Sequence, residues 1–159
     1  MKNIKVRITK KFSFEMAHAL CDHAGKCRNI HGHSYQFEIT VRGIPERRSG
    51  RPDSGMVIDF TEIAKMVEEN ICAFYDHSLS VSKRFIEKNY SAVPSGTKQI
   101  VTETEPTTEN ILLAIIDKLV GLLPENVPLV AAKLSETSGN SAEWRLEDDY
   151  PTSQFSLHR

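Results

Sequence analysis

The sequence predicts an α+β fold, in which two helices cover one face of a four-stranded antiparallel sheet (ββααββ). Segments near both ends of the chain alternate apolar and polar residues, as half-buried strands do. Two segments between them carry apolar residues at helical spacing, and strands grouped around a helix pair are typical of α+β domains. The 159 residues suit one domain, and we expect a single domain over 1–159.

The predicted elements follow this order along the chain. They are strands over 6–16 and 31–41, helices after Asp59 and Thr107, and strands over Leu129–Glu136 and Ala142–Glu147. Asp59 with Glu62 three residues later indicates a capping box at the start of the first helix. The apolar stripe of that helix is expected to be Ile63, Met66, Val67, Asn70, Ile71 and Phe74. The segment Ser80–Glu105 has weak periodicity, and no element is predicted there.

Composition excludes several classes of protein. A formal net charge of −1 lacks the basic excess of a nucleic-acid binder. No apolar run reaches the roughly 18 residues of a membrane span. The first twelve residues interleave charged and apolar residues, so they do not resemble a signal peptide. We therefore expect a cytoplasmic protein whose Cys21, Cys27 and Cys72 are reduced thiols.

Three histidines are expected to converge on one face of a hairpin. His31 and His33 are two residues apart on a strand, so their side chains leave the same face. His18 continues the buried parity of the first strand. Three imidazoles with an open fourth position suit a catalytic Zn²⁺. The alternative is that these are ordinary strand-end histidines that bind no metal.

Four further residues are candidates for chemistry. Cys27, four residues before His31, could supply a thiolate beside a metal, with Cys21 as its competitor. In Asp76-His77 the carboxylate could orient the imidazole, or the pair could simply close a helix. Glu136 points toward the core side of a strand end, where its carboxylate needs a partner. That partner is either a basic side chain or a ligand with paired N–H donors.

Five short motifs in order resemble one family. They are Phe14-Glu15-Met16-Ala17-His18, Cys27-Arg28-Asn29-Ile30-His31-Gly32-His33, Asp76-His77, Pro106-Thr107-Thr108-Glu109-Asn110 and Ser135-Glu136-Thr137. The series is similar to the 6-pyruvoyltetrahydropterin synthase superfamily. Within it, the spacing of Cys27 from His31 is similar to the bacterial 6-carboxy-5,6,7,8-tetrahydropterin synthases of queuosine biosynthesis. Two departures are Ser78, where that branch often has a second histidine, and a longer Ser80–Glu105 segment.

The resemblance implies a tunnelling fold, a homo-oligomer (hexamer or tetramer) and zinc on His18, His31 and His33. It implies conversion of 7,8-dihydroneopterin triphosphate into 6-carboxy-5,6,7,8-tetrahydropterin, acetaldehyde and triphosphate. Cys27 would abstract a proton, and Asp76 with His77 would relay protons. Glu136 would grip the pterin ring, with Thr108 and Glu109 also in the substrate site. The expected partner is the small pterin substrate, with neither nucleic acid nor membrane involved.

Two alternatives stay open at this point. The first is a related pterin enzyme, either a pyruvoyl-forming synthase or an aldolase-like enzyme, against which only the spacing of Cys27 argues. The second is a non-catalytic zinc-binding module. A pure binder would not need Cys27, Asp76, His77 and Glu136, so their presence together favours an enzyme.

Overall fold

The computed structural model describes residues 3–89 and 93–149, in which six strands form one mixed sheet. The strands are β1 (Val6–His18), β2 (His31–Gly43), β3 (Ser78–Ser82), β4 (Gln99–Thr102), β5 (Leu129–Ser135) and β6 (Ser141–Arg145). They lie in the order β4-β3-β1-β2-β5-β6. The α+β class is confirmed, but the sheet of four antiparallel strands is wrong. β3 runs parallel to both β1 and β4, and these two short strands extend the four that were predicted.

Helices pack against both faces of this sheet. They are α1 (Phe60–Val67), α2 (Ala73–Tyr75), α3 (Lys83–Asn89), α4 (Thr108–Val120) and α5 (Leu146–Asp149). We call the face bearing Phe12, Phe14, Tyr35 and Phe37 the core face, because α1 and α4 bury these side chains in the main hydrophobic cluster. The opposite face, which we call the polar face, carries Ser13, Glu15, Ser34 and Gln36. Among the described residues, no helix has both the length and the apolar character needed to cross a membrane.

The first helix begins where it was predicted. Asp59 is its N-cap, and the Asp59 carboxylate accepts hydrogen bonds from the backbone N–H of Thr61 at 2.7 Å and from the Thr61 hydroxyl at 2.8 Å. The capping bond therefore goes to the second helical residue and not to Glu62, which is within the usual range for an N-cap.

A π-helical turn at Glu68–Cys72 joins α1 to α2. Such a turn adds a residue to an α-helix and rotates everything after it. The buried stripe is therefore Ile63, Val67, Ile71 and Tyr75. Phe74, expected on this stripe, is 45% exposed, and Tyr75 takes its place by stacking on Phe14 with ring centroids 5.5 Å apart.

The second predicted helix is confirmed as α4. Thr107 is its N-cap and accepts a hydrogen bond from the backbone N–H of Asn110 at 3.3 Å, and Gly121 closes the helix. The buried residues of α4 are Thr108, Ile111, Leu112, Ile115, Ile116 and Leu119. The last strand ends earlier than expected, at Arg145, because α5 begins at Leu146.

The segment without a prediction, Ser80–Glu105, forms most of a small extension of the sheet. β3 is buried along its whole length. Its residues Leu79 and Val81 pack with Ala19 and Phe85 in a second hydrophobic cluster. The residues Ser78–Ser82 alternate polar and apolar side chains, a pattern typical of a half-buried strand, yet the serines of β3 are buried as well.

Candidate functional site

Three imidazoles meet at the loop end of the β1–β2 hairpin. His18, the last residue of β1, lies directly opposite His31, the first residue of β2, and His33 follows two residues later. One ring nitrogen from each residue lies within 4.8 Å of the other two. His18 is buried, and His31 and His33 are half-buried. The expected convergence of these side chains is present.

Backbone carbonyls fix the orientation of two of these rings. Nδ1 of His18 lies 2.9 Å from the carbonyl oxygen of Pro106, and Nδ1 of His31 lies 2.8 Å from that of Asn29. A carbonyl oxygen only accepts, so each Nδ1 must carry the hydrogen. In the neutral rings, both Nε2 atoms then present lone pairs to each other, only 3.1 Å apart.

This arrangement fits a metal ion. Two lone pairs at that separation repel each other unless a cation lies between them. Bonds of about 2.1 Å in a tetrahedral site would put zinc-bound nitrogens roughly 3.4 Å apart, close to the spacing seen here. Desolvation, helped by the neighbouring His31 and His33, lowers the pKa of His18, so this ring is neutral, the form that binds a metal.

A carboxylate stands beside the imidazoles. Glu136 directly follows β5, and its Oε2 accepts a hydrogen bond from the Thr108 hydroxyl at 2.7 Å. Its Oε1 accepts one from the Asn140 amide at 3.2 Å. Desolvation works to raise the pKa of Glu136, but these hydrogen bonds, together with the nearby His33 and His18, outweigh it and lower the pKa overall. The carboxylate is thus ionised near neutral pH.

The partners of Glu136 within the protein are two neutral donors, Thr108 and Asn140, and not the basic side chain expected as one alternative. No described basic residue forms an ion pair with this carboxylate. Each of its oxygens receives one hydrogen bond from the protein and keeps acceptor capacity for a ligand. Thr108 is buried at the first turn of α4, while Glu109 beside it is exposed.

Cys27 lies in a 3-10 turn, Lys26–Arg28, within the loop 19–30 that joins β1 to β2. Its carbonyl oxygen accepts a hydrogen bond from the backbone N–H of Leu20 at 2.9 Å, which closes the loop. The pKa values of the other two thiols are raised. Desolvation and Asp22 raise the pKa of Cys21, and desolvation raises that of Cys72 to about 11.

Asp76 and His77, which lie between α2 and β3, form an oriented pair that contacts β1 at Glu15. Nδ1 of His77 lies 2.7 Å from one Asp76 oxygen, and the other oxygen accepts the backbone N–H of Glu15 at 2.8 Å. The hydrogen bond from the Glu15 N–H lowers the pKa of Asp76 most, and the hydrogen bond with His77 lowers it further. His77 has φ of 55°, the left-handed region that few residues other than glycine adopt. Its own N–H donates to the Glu15 carbonyl at 2.6 Å.

This pair lies beside β1 on the polar-face side. His77 lines a cavity of about 550 Å³ with His33 and with Glu15, Ala17 and Ser34, and the last three have a parity on β1 and β2 opposite to that of His18 and His31. The structure thus brings His18, His31, His33, Thr108 and Glu136 together. Among the described residues, no hydrogen bond or ring contact joins Asp76 or His77 to this group.

Three groups at the site have no signal in the sequence pattern. The carbonyls of Asn29 and Pro106 are backbone atoms, which any residue type carries. Asn140 belongs to the tetrad Thr137-Ser138-Gly139-Asn140, whose residue types are typical of a turn. A turn residue four positions after a half-buried carboxylate is within reach of it, and this is the signal that could have identified Asn140.

Comparisons with known proteins agree with this geometry. The family model described as 6-pyruvoyl tetrahydropterin synthase matches residues 7–147. A Rickettsia typhi protein named 6-carboxy-5,6,7,8-tetrahydropterin synthase is 30% identical over 140 residues, covering 83% of this chain and 94% of that protein. A Haemophilus influenzae protein of the same name is 39% identical over 72 residues, but this match spans only 45% of the chain and half of that protein.

The fold itself is also shared with a solved structure. The 6-pyruvoyl tetrahydropterin synthase of Caenorhabditis elegans superimposes with a TM-score of 0.65 at 23% identity, covering 91% of this chain and 98% of that one. The match of the family model to nearly the whole chain decides the assignment. This chain belongs to the 6-pyruvoyl tetrahydropterin synthase family.

Proposed function

We propose that this protein is a zinc-dependent 6-carboxy-5,6,7,8-tetrahydropterin synthase. Its substrate would be 7,8-dihydroneopterin triphosphate, and its products 6-carboxy-5,6,7,8-tetrahydropterin, acetaldehyde and triphosphate. The observation that carries the proposal is the pair of Nε2 lone pairs of His18 and His31, 3.1 Å apart, beside an ionised Glu136. The names of the Rickettsia typhi and Haemophilus influenzae relatives, together with the spacing of Cys27 from His31, favour the carboxy product over the pyruvoyl product.

The metal would be held by His18, His31 and His33. When bound, zinc supplies a Lewis acid that makes C–H and O–H groups on the substrate side chain easier to deprotonate. Neutral imidazoles, oriented by carbonyls behind them, are the usual ligands of such a site.

The chain's own residues would bind the ring and move protons. Glu136 accepts two hydrogen bonds from the adjacent N–H and amino groups of the pterin, in a charge-assisted planar match. The Cys27 thiolate accepts a proton from the side chain of the substrate. His77, held by Asp76, donates and accepts protons in the following steps. Thr108 acts indirectly, since its hydroxyl fixes the Glu136 carboxylate.

The position of His77 bears on the oligomer. Among the described residues, no hydrogen bond or ring contact joins His77 to the three imidazoles of its own chain, so a complete site would take His77 from another copy. We therefore propose a homo-oligomer. In it, the region around Glu15 and His77 of one subunit lies against the three imidazoles of its neighbour. Symmetric assembly repeats this contact at every site.

Zinc content is the first prediction. The purified protein should contain about one zinc per chain, measured by elemental analysis after dialysis. A His31→Ala/His33→Ala double variant should lose it, because one imidazole cannot hold the ion alone. His23→Ala is the matched control, since His23 lies in the loop and its ring accepts a hydrogen bond from the Gly25 N–H. Unchanged zinc in the double variant would place the metal elsewhere.

Turnover should depend on Cys27. Zinc-loaded protein incubated with 7,8-dihydroneopterin triphosphate should yield the 6-carboxy product, identified by mass spectrometry. Cys27→Ala should lose at least about a hundredfold in kcat while retaining zinc and melting temperature. Cys72→Ala, which removes a thiol in the π turn, should remain active. A 6-pyruvoyl product would contradict the assigned reaction, and an active Cys27→Ala would exclude the thiol.

Sharing of the site between subunits predicts complementation. Cys27→Ala and His77→Ala should each be inactive when expressed alone. Random co-assembly of the two variants should restore about a quarter of the wild-type activity, since half of the subunits at each position carry the intact group. If the co-expressed oligomer stays inactive, the two residues do not act across an interface.

Glu136→Gln should weaken ligand binding without unfolding the site. The Asn140 amide can still donate to the glutamine oxygen, and the Thr108 hydroxyl can rotate to accept from the new amide group. The pterin, in contrast, would face a donor in place of an acceptor. We expect a loss of roughly 2–4 kcal/mol, tens- to about a thousandfold in kcat/KM, with zinc content unchanged.

The Glu136→Gln sample should be measured twice, by pterin titration and by thermal melting. Glu143→Gln is the control, because Glu143 is an exposed carboxylate on β6 paired with Arg145. Unchanged pterin affinity together with a lower melting temperature would mean that Glu136 stabilises the fold and does not anchor the ring.

A further inference from the structure

The carboxylate of Glu105 connects two segments that are distant in the sequence. Its Oε2 accepts a hydrogen bond from the backbone N–H of Cys21 at 2.7 Å, and its Oε1 accepts one from the Ser82 hydroxyl at 2.8 Å. Cys21 lies in the loop 19–30, whereas Ser82 is the last residue of β3. Glu105 itself is half-buried just before α4, so one side chain ties the loop to the sheet extension.

The backbone of Glu105 is fixed as firmly as its side chain. Its carbonyl oxygen accepts hydrogen bonds from the Asn110 amide at 2.9 Å and from the Thr107 N–H at 2.8 Å. The next residue, Pro106, has a restricted φ. The Pro106 carbonyl, which accepts from Nδ1 of His18, therefore takes its position from Glu105.

The loop end of the same contact leads to Cys27. Cys21 follows Leu20, whose N–H donates to the Cys27 carbonyl at 2.9 Å. A hydrogen bond that fixes the backbone of Cys21 therefore also fixes Leu20, to which Cys27 is hydrogen-bonded. Glu105 is linked to His18 through Pro106 and to Cys27 through the loop.

We propose that Glu105 is a positioning residue, which sets the orientation of His18 and the placement of Cys27 together. It touches neither the metal ligands nor the proposed ring anchor directly. The part concerning catalysis rests on the proposed function, whereas the anchoring of the loop does not. The segment Ser80–Glu105 thereby acquires a role, because Ser82 and Glu105 stand at its two ends.

Three substitutions separate this role from a general contribution to stability. Glu105→Ala removes both acceptors and leaves the half-buried Cys21 N–H without its partner. Glu105→Gln should be tolerated, since its amide oxygen can accept from Cys21 and the Ser82 hydroxyl can rotate to accept from its NH₂ group. Glu103→Ala is the matched control, because Glu103 is 77% exposed and pairs with Lys83 on the surface.

The experiment uses the full-length protein and three measurements: amide hydrogen exchange, zinc affinity by chelator competition, and kcat with KM. In Glu105→Ala, exchange across 19–30 should become faster, and zinc affinity should fall about tenfold, as for groups that orient metal ligands. kcat should fall more than KM changes. Glu105→Gln and Glu103→Ala should stay within about threefold of wild type in zinc affinity.

Two results would overturn the proposal: zinc affinity and loop exchange in Glu105→Ala equal to wild type, or equal losses in Glu105→Gln and Glu105→Ala. If Glu105→Ala does not fold, Glu105→Asp serves instead, because the shorter side chain cannot reach both partners. A wild-type protein that bound no zinc and converted no pterin would contradict the proposed function. Loop exchange in the variants would still decide whether Glu105 holds the loop.

Discussion

The register between β1 and β2 is the constraint on which the site depends. Phe12 lies opposite Phe37 and Phe14 opposite Tyr35, so the same pairing that buries these rings sets His18 opposite His31. A slip of one residue would turn every side chain of one strand to the other face. It would expose the aromatic rings and separate the imidazoles at the same time. Burial of the aromatic side chains thus also keeps the three imidazoles together.

Around that frame, the site is completed by groups that arrive from distant parts of the chain. Pro106 and Thr108 come from the start of α4, Asn29 from the loop, and Asn140 from the turn before β6. Each of them fixes one atom of His18, His31 or Glu136. Buried polar groups need such partners, and here the partners also decide which nitrogen or oxygen faces the ligand.

Local patterns in the sequence predicted the elements that have one solvent-exposed face and one buried face. β1, β2 and α4 are of this kind, and strand parity alone was enough to bring His18, His31 and His33 together. It did not predict β3, whose buried serines Ser78 and Ser82 are satisfied by the Tyr75 carbonyl and the Glu105 carboxylate, because both partners are tertiary. The location of His77 on the polar face also depends on a tertiary pairing, the parallel contact of β3 with β1.

The π-helical turn at Glu68–Cys72 has a consequence for how this protein can change over evolutionary time. Each residue of an α-helix advances the chain by about 100° around the axis. Deleting one residue from the turn would leave a continuous helix, yet it would swing Tyr75 off Phe14 and re-aim Asp76 and His77 by about that angle. The π-helical turn therefore determines the direction in which Asp76 and His77 leave the helix. Insertions and deletions should be far less acceptable here than conservative substitutions at the same five positions.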